Sequence, residues 1–138
     1  MEKINSNNFV NYLKEYNLKL TNQRYLVAKF LFDGKNKHFT AEDLYEKISL
    51  KTKNISLATV YNTLHSFVEK KLLKKVSVKD NKTIFCTNMV NHYHFYNPDT
   101  GELIDIKNGE INFEKLPKTP KGTKIDSIEV VIKLKKGN

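Results

Sequence analysis

The sequence predicts an α/β chain in two parts: a helical unit that ends in a basic hairpin, then a small α/β unit. Three observations predict it. Apolar residues recur at helical spacing in four stretches of the first half. From Val76 the period drops to two, with Val76 and Val78 alternating with Ser77 and Lys79. The charge divides along the same line. Of a net +9, residues 1–85 carry 16 Lys or Arg against 8 Asp or Glu, and residues 86–138 carry 8 against 7.

Asn7 to Tyr16 reads as the first helix, with Phe9, Val10 and Leu13 on its apolar side. Leu20, Thr21 and Tyr25 then set a pattern: an apolar residue, a hydroxyl cap, and a second apolar residue five positions after the first. They open a second helix to about Phe32, apolar nearly all round and so expected at the centre of a small core. Asp33-Gly34-Lys35-Asn36 ends it. Phe39, Thr40 and Leu44 repeat the pattern, with Asp43 placed as a capping-box acid, and open a third helix to about Leu50. Ser56, between Ile55 and Val60, opens the fourth, expected over Ile55 to Leu73. Leu57, Val60, Leu64, Phe67 and Val68 form its apolar stripe. Its outward face carries Ala58, Thr59, Asn62, His65 and Ser66 beside Tyr61, with almost no charge. A face that only had to stay solvated more often shows Lys and Glu. Short hydrogen-bonding side chains next to an aromatic suit a surface that enters a DNA major groove.

Asp80-Asn81 can turn the chain and Thr83 to Thr87 can return as a second strand. Lys74, Lys75, Lys79 and Lys82 make this hairpin basic. Helices followed by a basic hairpin are the winged helix-turn-helix plan, in which the last helix reads double-stranded DNA and the hairpin rests on phosphates. Lys79 is the expected phosphate contact there, and Arg24 another, in the first turn of its helix. In the second part, His92 to Tyr96 and Glu102 to Ile106 flank the turn Asn97-Pro98-Asp99-Thr100-Gly101. Asn108 to Leu116 suggests a short helix stopped by Pro117. After Gly122 a last strand is expected, with Ile128, Val130, Ile132 and Leu134 on one face. So short a segment buries such a sheet poorly, which points to a homodimer.

His92 and His94 share a face if they lie in a strand. Cys86 ends the returning hairpin strand, and His38 directly precedes the third helix. Three imidazoles and a thiolate suit one transition-metal ion per subunit, Fe, Mn or Zn. Haem on His92 or His94 is an alternative effector, since His serves as an axial ligand. His65, on the outward face, stays outside this set. Cys86 is the only cysteine, so no internal disulfide forms and a reducing compartment, the cytoplasm, fits. No apolar run is long enough to span a membrane. No motif places a general base beside the metal set, so the chain does not read as an enzyme.

The stretches LTNQR at 20–24, HFTAEDLY at 38–45, SLATVYNTL at 56–64, NHYH at 91–94 and GELIDI at 101–106 resemble the ferric uptake regulator (Fur) family over nearly the whole chain. Within it, SLATVYNTLHSF, HFYNPDTGELIDI and LPKTPKGTKIDSIEVVIKLKK are similar to the iron response regulator (Irr) branch. The resemblance implies a winged-helix DNA-binding domain over 1–88, a hinge near Asn88–Asn91, and an α/β dimerisation domain over 89–138. It implies a homodimer that regulates iron and haem genes through palindromic operators, with haem, delivered by a partner protein in one version, as the signal. A metal-dependent Fur-type repressor without haem response is the alternative. The family's base-contacting Tyr falls on Tyr61, with Thr59 and Asn62 on the same helix, and its backbone-contacting Arg on Arg24. Its inter-domain metal ligands fall on His38, Cys86, His92 and His94, with Cys86 replacing a carboxylate. The family's structural zinc uses C-x-x-C. Here Asn97 and Thr100 hold those positions, so no structural zinc is expected.

Overall fold

Helix starts are where local chemistry and structure agree most closely. In the computed structural model, which describes residues 8–15, 17–19, 21–78 and 81–138, the Thr21 side chain accepts from the Arg24 amide at the head of α2 (Asn22–Leu31). Thr40 and Asp43 form a reciprocal capping box at the head of α3 (Ala41–Ser49). Ser56 accepts from the Thr59 amide at the head of α4 (Leu57–Glu69). Each cap satisfies donors that the first helical turn otherwise leaves without partners. A shorter helix, α1 (Phe9–Glu15), precedes them. Leu20, which the sequence pattern uses in the cap of α2, lies outside the described residues.

Two helix ends, those of α1 and α4, share one device. After α4, Lys71 takes a left-handed conformation (φ 60°), its amide donates to the Val68 carbonyl, and the Leu72 amide donates back to Phe67. After α1, Asn17 does the same (φ 57°), with Asn17 bonded to Lys14 and Leu18 to Leu13. This double return satisfies the last carbonyls and turns the chain sharply. It ends α4 at Glu69, short of the expected Leu73, because Leu72 and Leu73 are spent on the core instead.

The chain divides into two compact units, Met1–Met89 and Val90–Asn138. The core of the first gathers Leu13 of α1, Val27, Ala28 and Leu31 of α2, Leu44 and Ile48 of α3, and Val60, Leu64 and Phe67 of α4. Leu64 and Phe67 are fully buried, and truncating either to Ala costs about 2–5 kcal/mol. The expectation that α2 is apolar all round is corrected: Asn22, Gln23, Tyr25 and Lys29 form an exposed face. Tyr25 reaches solvent because its ring packs at a tilt (52°) against Phe9 rather than inside the core.

The wing is an antiparallel hairpin of β2 (Lys74–Ser77) and β3 (Thr83–Cys86), in register from Lys74↔Cys86 to Ser77↔Thr83. A two-residue strand, β1 (His38–Phe39), joins its other edge, giving the order β1-β3-β2. Sequence periodicity did not predict β1, since two residues carry no period. It is held by pairing with β3 and by the exchange of bonds between Lys37 and Thr87.

In the second unit, β4 (His94–Asn97) is central, antiparallel to β5 (Glu102–Asp105) and parallel to β6 (Val131–Lys133). The 97–101 turn forms as predicted: Gly101 has φ 75° and bonds back to the Asn97 carbonyl, and Asn97 Oδ1 accepts from Asp99. Two expectations fail. The stretch 108–116 forms turns rather than a helix, with Gly109 at φ 88° and Phe113 and Leu116 exposed. It has no buried apolar stripe to stabilise a helix of that length. The last strand covers only 131–133 rather than the longer run expected. Among the described residues the unit contains no helix, so its α component is not observed.

Candidate metal centre and DNA-reading face

The second unit builds a three-donor cluster on its central hairpin. The turn register places Asp105 opposite His94 across β4 and β5. His92 lies two residues earlier, just before the strand rather than within it as expected. Both imidazoles still converge on one oxygen: His92 Nε2 and His94 Nε2 each lie 3.1 Å from Asp105 Oδ1. The rings meet edge to face, 4.4 Å between centroids. Both side chains are almost fully buried. His92 Nδ1 faces the Val90 carbonyl. A carbonyl cannot donate, so that nitrogen carries a proton and Nε2 is the atom left to face the carboxylate. Two electron-rich atoms facing each other need a cation between them, a proton or a metal. A ring whose other nitrogen is fixed by a backbone carbonyl is a common support for a metal-ligating His.

The first unit holds a donor pair of its own. His38 on β1 is the direct cross-strand partner of Cys86 on β3, and their ligand atoms lie within 4.8 Å of one another. Cys86 is fully buried, its Sγ 3.9 Å from the Asn88 carbonyl. Imidazole and thiolate are borderline and soft donors suited to Zn or Fe(II). Sequence reasoning reached His38, Cys86, His92 and His94 but missed Asp105. The signal was available: a turn that pairs Asn97 with Glu102 necessarily pairs His94 with Asp105.

The other predicted surface lies wholly within the first unit. Arg24, Thr59 and Asn62 line one groove of about 300 Å³ between the start of α2 and the outer face of α4, together with Lys19, Gln23 and Ser66. Arg24 is oriented by a 2.8 Å bond from its guanidinium to the Lys19 carbonyl. The Thr59 and Ser56 hydroxyls share a hydrogen bond. Asn62 is exposed. Tyr61 stands beside the groove. Its hydroxyl donates to Glu42 of α3 and its ring stacks with that of His65. His65 also meets Phe85 edge-on. The Glu42 carboxylate, by accepting that bond, holds the Tyr61 phenol above its usual pKa; partial desolvation adds to it. Lys79 lies outside the described residues.

A helical unit with a wing, followed by a small sheet bearing a His/His/Asp cluster, defines a winged-helix regulator with a metal-ligating donor set. The ferric uptake regulator family profile matches residues 15–133. The chain is 30% identical over 100 residues to the peroxide-responsive repressor PerR of Staphylococcus aureus, covering 72% of this chain and 67% of that one. Its fold is similar to that of the Pseudomonas aeruginosa ferric uptake regulator with manganese (TM-score 0.72, 24% identity, 94% of this chain and 98% of that one). It is also similar to that of the Vibrio cholerae ferric uptake regulator (TM-score 0.69, 22% identity, the same coverage). The chain belongs to the ferric uptake regulator family, and it is a DNA-binding transcriptional regulator rather than an enzyme. No described helix is long and apolar enough to cross a membrane.

Proposed function

We propose that this protein is a cytoplasmic, metal-dependent repressor that binds palindromic operator DNA as a homodimer. The observation that carries the reading is the convergence of His92 and His94 on Asp105, a few residues after Cys86 of the wing sheet's His38–Cys86 pair. One Fe, Mn or Zn ion per subunit would be held by His38, Cys86, His92, His94 and Asp105. As a Lewis acid it supplies coordination alone: no electron transfer or hydrolysis is asked of it. The ligands come from both proposed domains, 1–88 reading DNA and 89–138 pairing subunits, so holding the ion favours those arrangements in which both sets face it. That shifts the population toward one spacing of reading helices. DNA contacts fall to Arg24, Thr59, Tyr61, Asn62 and Lys79.

The homodimer draws support from the second sheet. One face holds His94, Tyr96 and Leu103, all buried. The opposite face carries a cross-strand row of Ile104, Phe95 and Ile132, with Ile104 39% and Ile132 38% exposed. A sheet whose outer face is apolar gains from covering it with a second copy.

The relatives described above carry iron, manganese or peroxide in their names and none carries haem. The haem-responsive reading of the Irr type, with its haem-delivering partner, therefore gives way to metal-dependent repression. A peroxide response is the second reading, favoured by the Staphylococcus aureus relative. One titration separates the three. Operator binding is measured by anisotropy for metal-free protein and for protein with Mn(II) or Fe(II), then with stoichiometric haem or hydrogen peroxide added. Repression by metal predicts binding at least tenfold tighter with Mn(II) and indifferent to haem. Collapse on haem restores the haem reading. Loss with peroxide in the Fe(II) form alone supports the peroxide reading. Equal binding with and without metal, unmoved by haem or peroxide, overturns all three.

A further inference from the structure

Two adjacent acids open α3, and they do different work. Asp43 is consumed by the cap, its carboxylate accepting from the Thr40 amide. Glu42 takes no part in it. It reaches across 19 positions of sequence to accept the Tyr61 hydroxyl at 2.5 Å. An acid on a face meant for phosphates is electrostatically unfavourable, so its presence beside the reader calls for a physical reason. A phenol has one proton and two lone pairs. With the proton committed to Glu42, only the lone pairs of Tyr61 remain to meet a base. Stacking on His65 further fixes the ring.

We propose that Glu42 sets what Tyr61 can read: by holding the phenol proton it makes Tyr61 an acceptor-only reader, matched to the exocyclic amino group of adenine or cytosine in the major groove. Guanine and thymine present only acceptors and a methyl group on that edge, so the oxygen of such a tyrosine is repelled by them. Glu42 is a positioning residue, acting through Tyr61 without touching DNA. The proposal rests on the reading of α4 as the DNA-reading helix.

The test uses the 138-residue, Mn(II)-loaded chain and operator duplexes carrying base analogues one position at a time. Purine in place of adenine, or 2-pyrimidinone in place of cytosine, deletes an amino donor. A 7-deazapurine deletes an acceptor. At one position per half-site the amino deletion should weaken the wild-type protein about three- to tenfold, the worth of one hydrogen bond. Tyr61→Phe should be indifferent to it. Glu42→Ala frees the phenol to donate, so the same deletion should cost less than about twofold. Glu42→Gln keeps an accepting oxygen and should retain the wild-type pattern, which separates positioning from loss of charge or of fold. A Tyr61-dependent penalty on the deaza duplex instead would mean that the hydroxyl donates to a base and would overturn the proposal. So would an unchanged analogue pattern in Glu42→Ala. Ultraviolet titration reads the contact without DNA: Tyr61 should ionise above 10.0 and move back toward that value in Glu42→Ala. If Tyr61→Phe loses cognate and random DNA equally, the reading of α4 fails and the proposal with it. The titration shift would survive that outcome, so the two failures are distinguishable.

Discussion

Cys86 is the residue whose chemistry departs furthest from the rest of the donor set. The resemblance to the family places a carboxylate at its position, and the structure puts a fully buried thiol opposite His38. A thiolate is softer than a carboxylate and must lose its proton to bind. Cys86→Asp is therefore expected to shift preference from Zn(II) toward Mn(II), by about tenfold in relative affinity. Competition titrations with both ions check this, and an unchanged ratio removes Cys86 from the ligand set. Co(II) gives a second readout, since a thiolate–cobalt charge-transfer band should appear with wild-type protein and vanish in the variant. Asp105 shows what single residues hide. One carboxylate in GELIDI is unremarkable until the hairpin register puts it across from His94.

At the scale of elements, caps and the two hairpins were legible, and pairing between strands distant in sequence was not. Thr21, Thr40 and Ser56 announce their helices because the interaction spans three residues and needs no tertiary partner. The β1 strand and the turns over 108–116 depend on what lies beside them, which periodicity cannot report. The left-handed exit from α4 is a third such case, because sequence would lead one to look for Gly and the position is Lys71. A side chain in that conformation costs about 1 kcal/mol relative to Gly. Lys71→Gly is thus expected to stabilise the first unit by about 0.5–1 kcal/mol, read as a higher urea midpoint with unchanged slope. A loss of stability would show that the Lys71 side chain contributes more than its backbone conformation costs. The same exchange at Asn17 should give less, since Asn tolerates left-handed backbone.

For the whole molecule, the order of parts was readable because the period changes at the start of the wing and the charge balance at its end. How the second sheet is completed was not, because Ile104, Phe95 and Ile132 remain open to solvent within one chain. The connection between the two donor groups has a consequence of its own. Only five residues, 87–91, separate Cys86 from His92, and Thr87 is bound back to Lys37 of the first unit. If both groups hold one ion, as proposed, such a tether would make its capture by the second group an intramolecular event, at an effective concentration in the millimolar range. Metal affinity should then be independent of protein concentration. Inserting ten Gly/Ser residues after Asn88 should weaken it about fivefold, following the three-halves power of loop length. Isothermal titration measures the change, and an unaltered affinity would mean that each donor group binds alone. In the proposed metal-dependent repressor the short link would act as a gain setting: its length, rather than the strength of any single bond, would tune the cellular metal level at which the regulator responds.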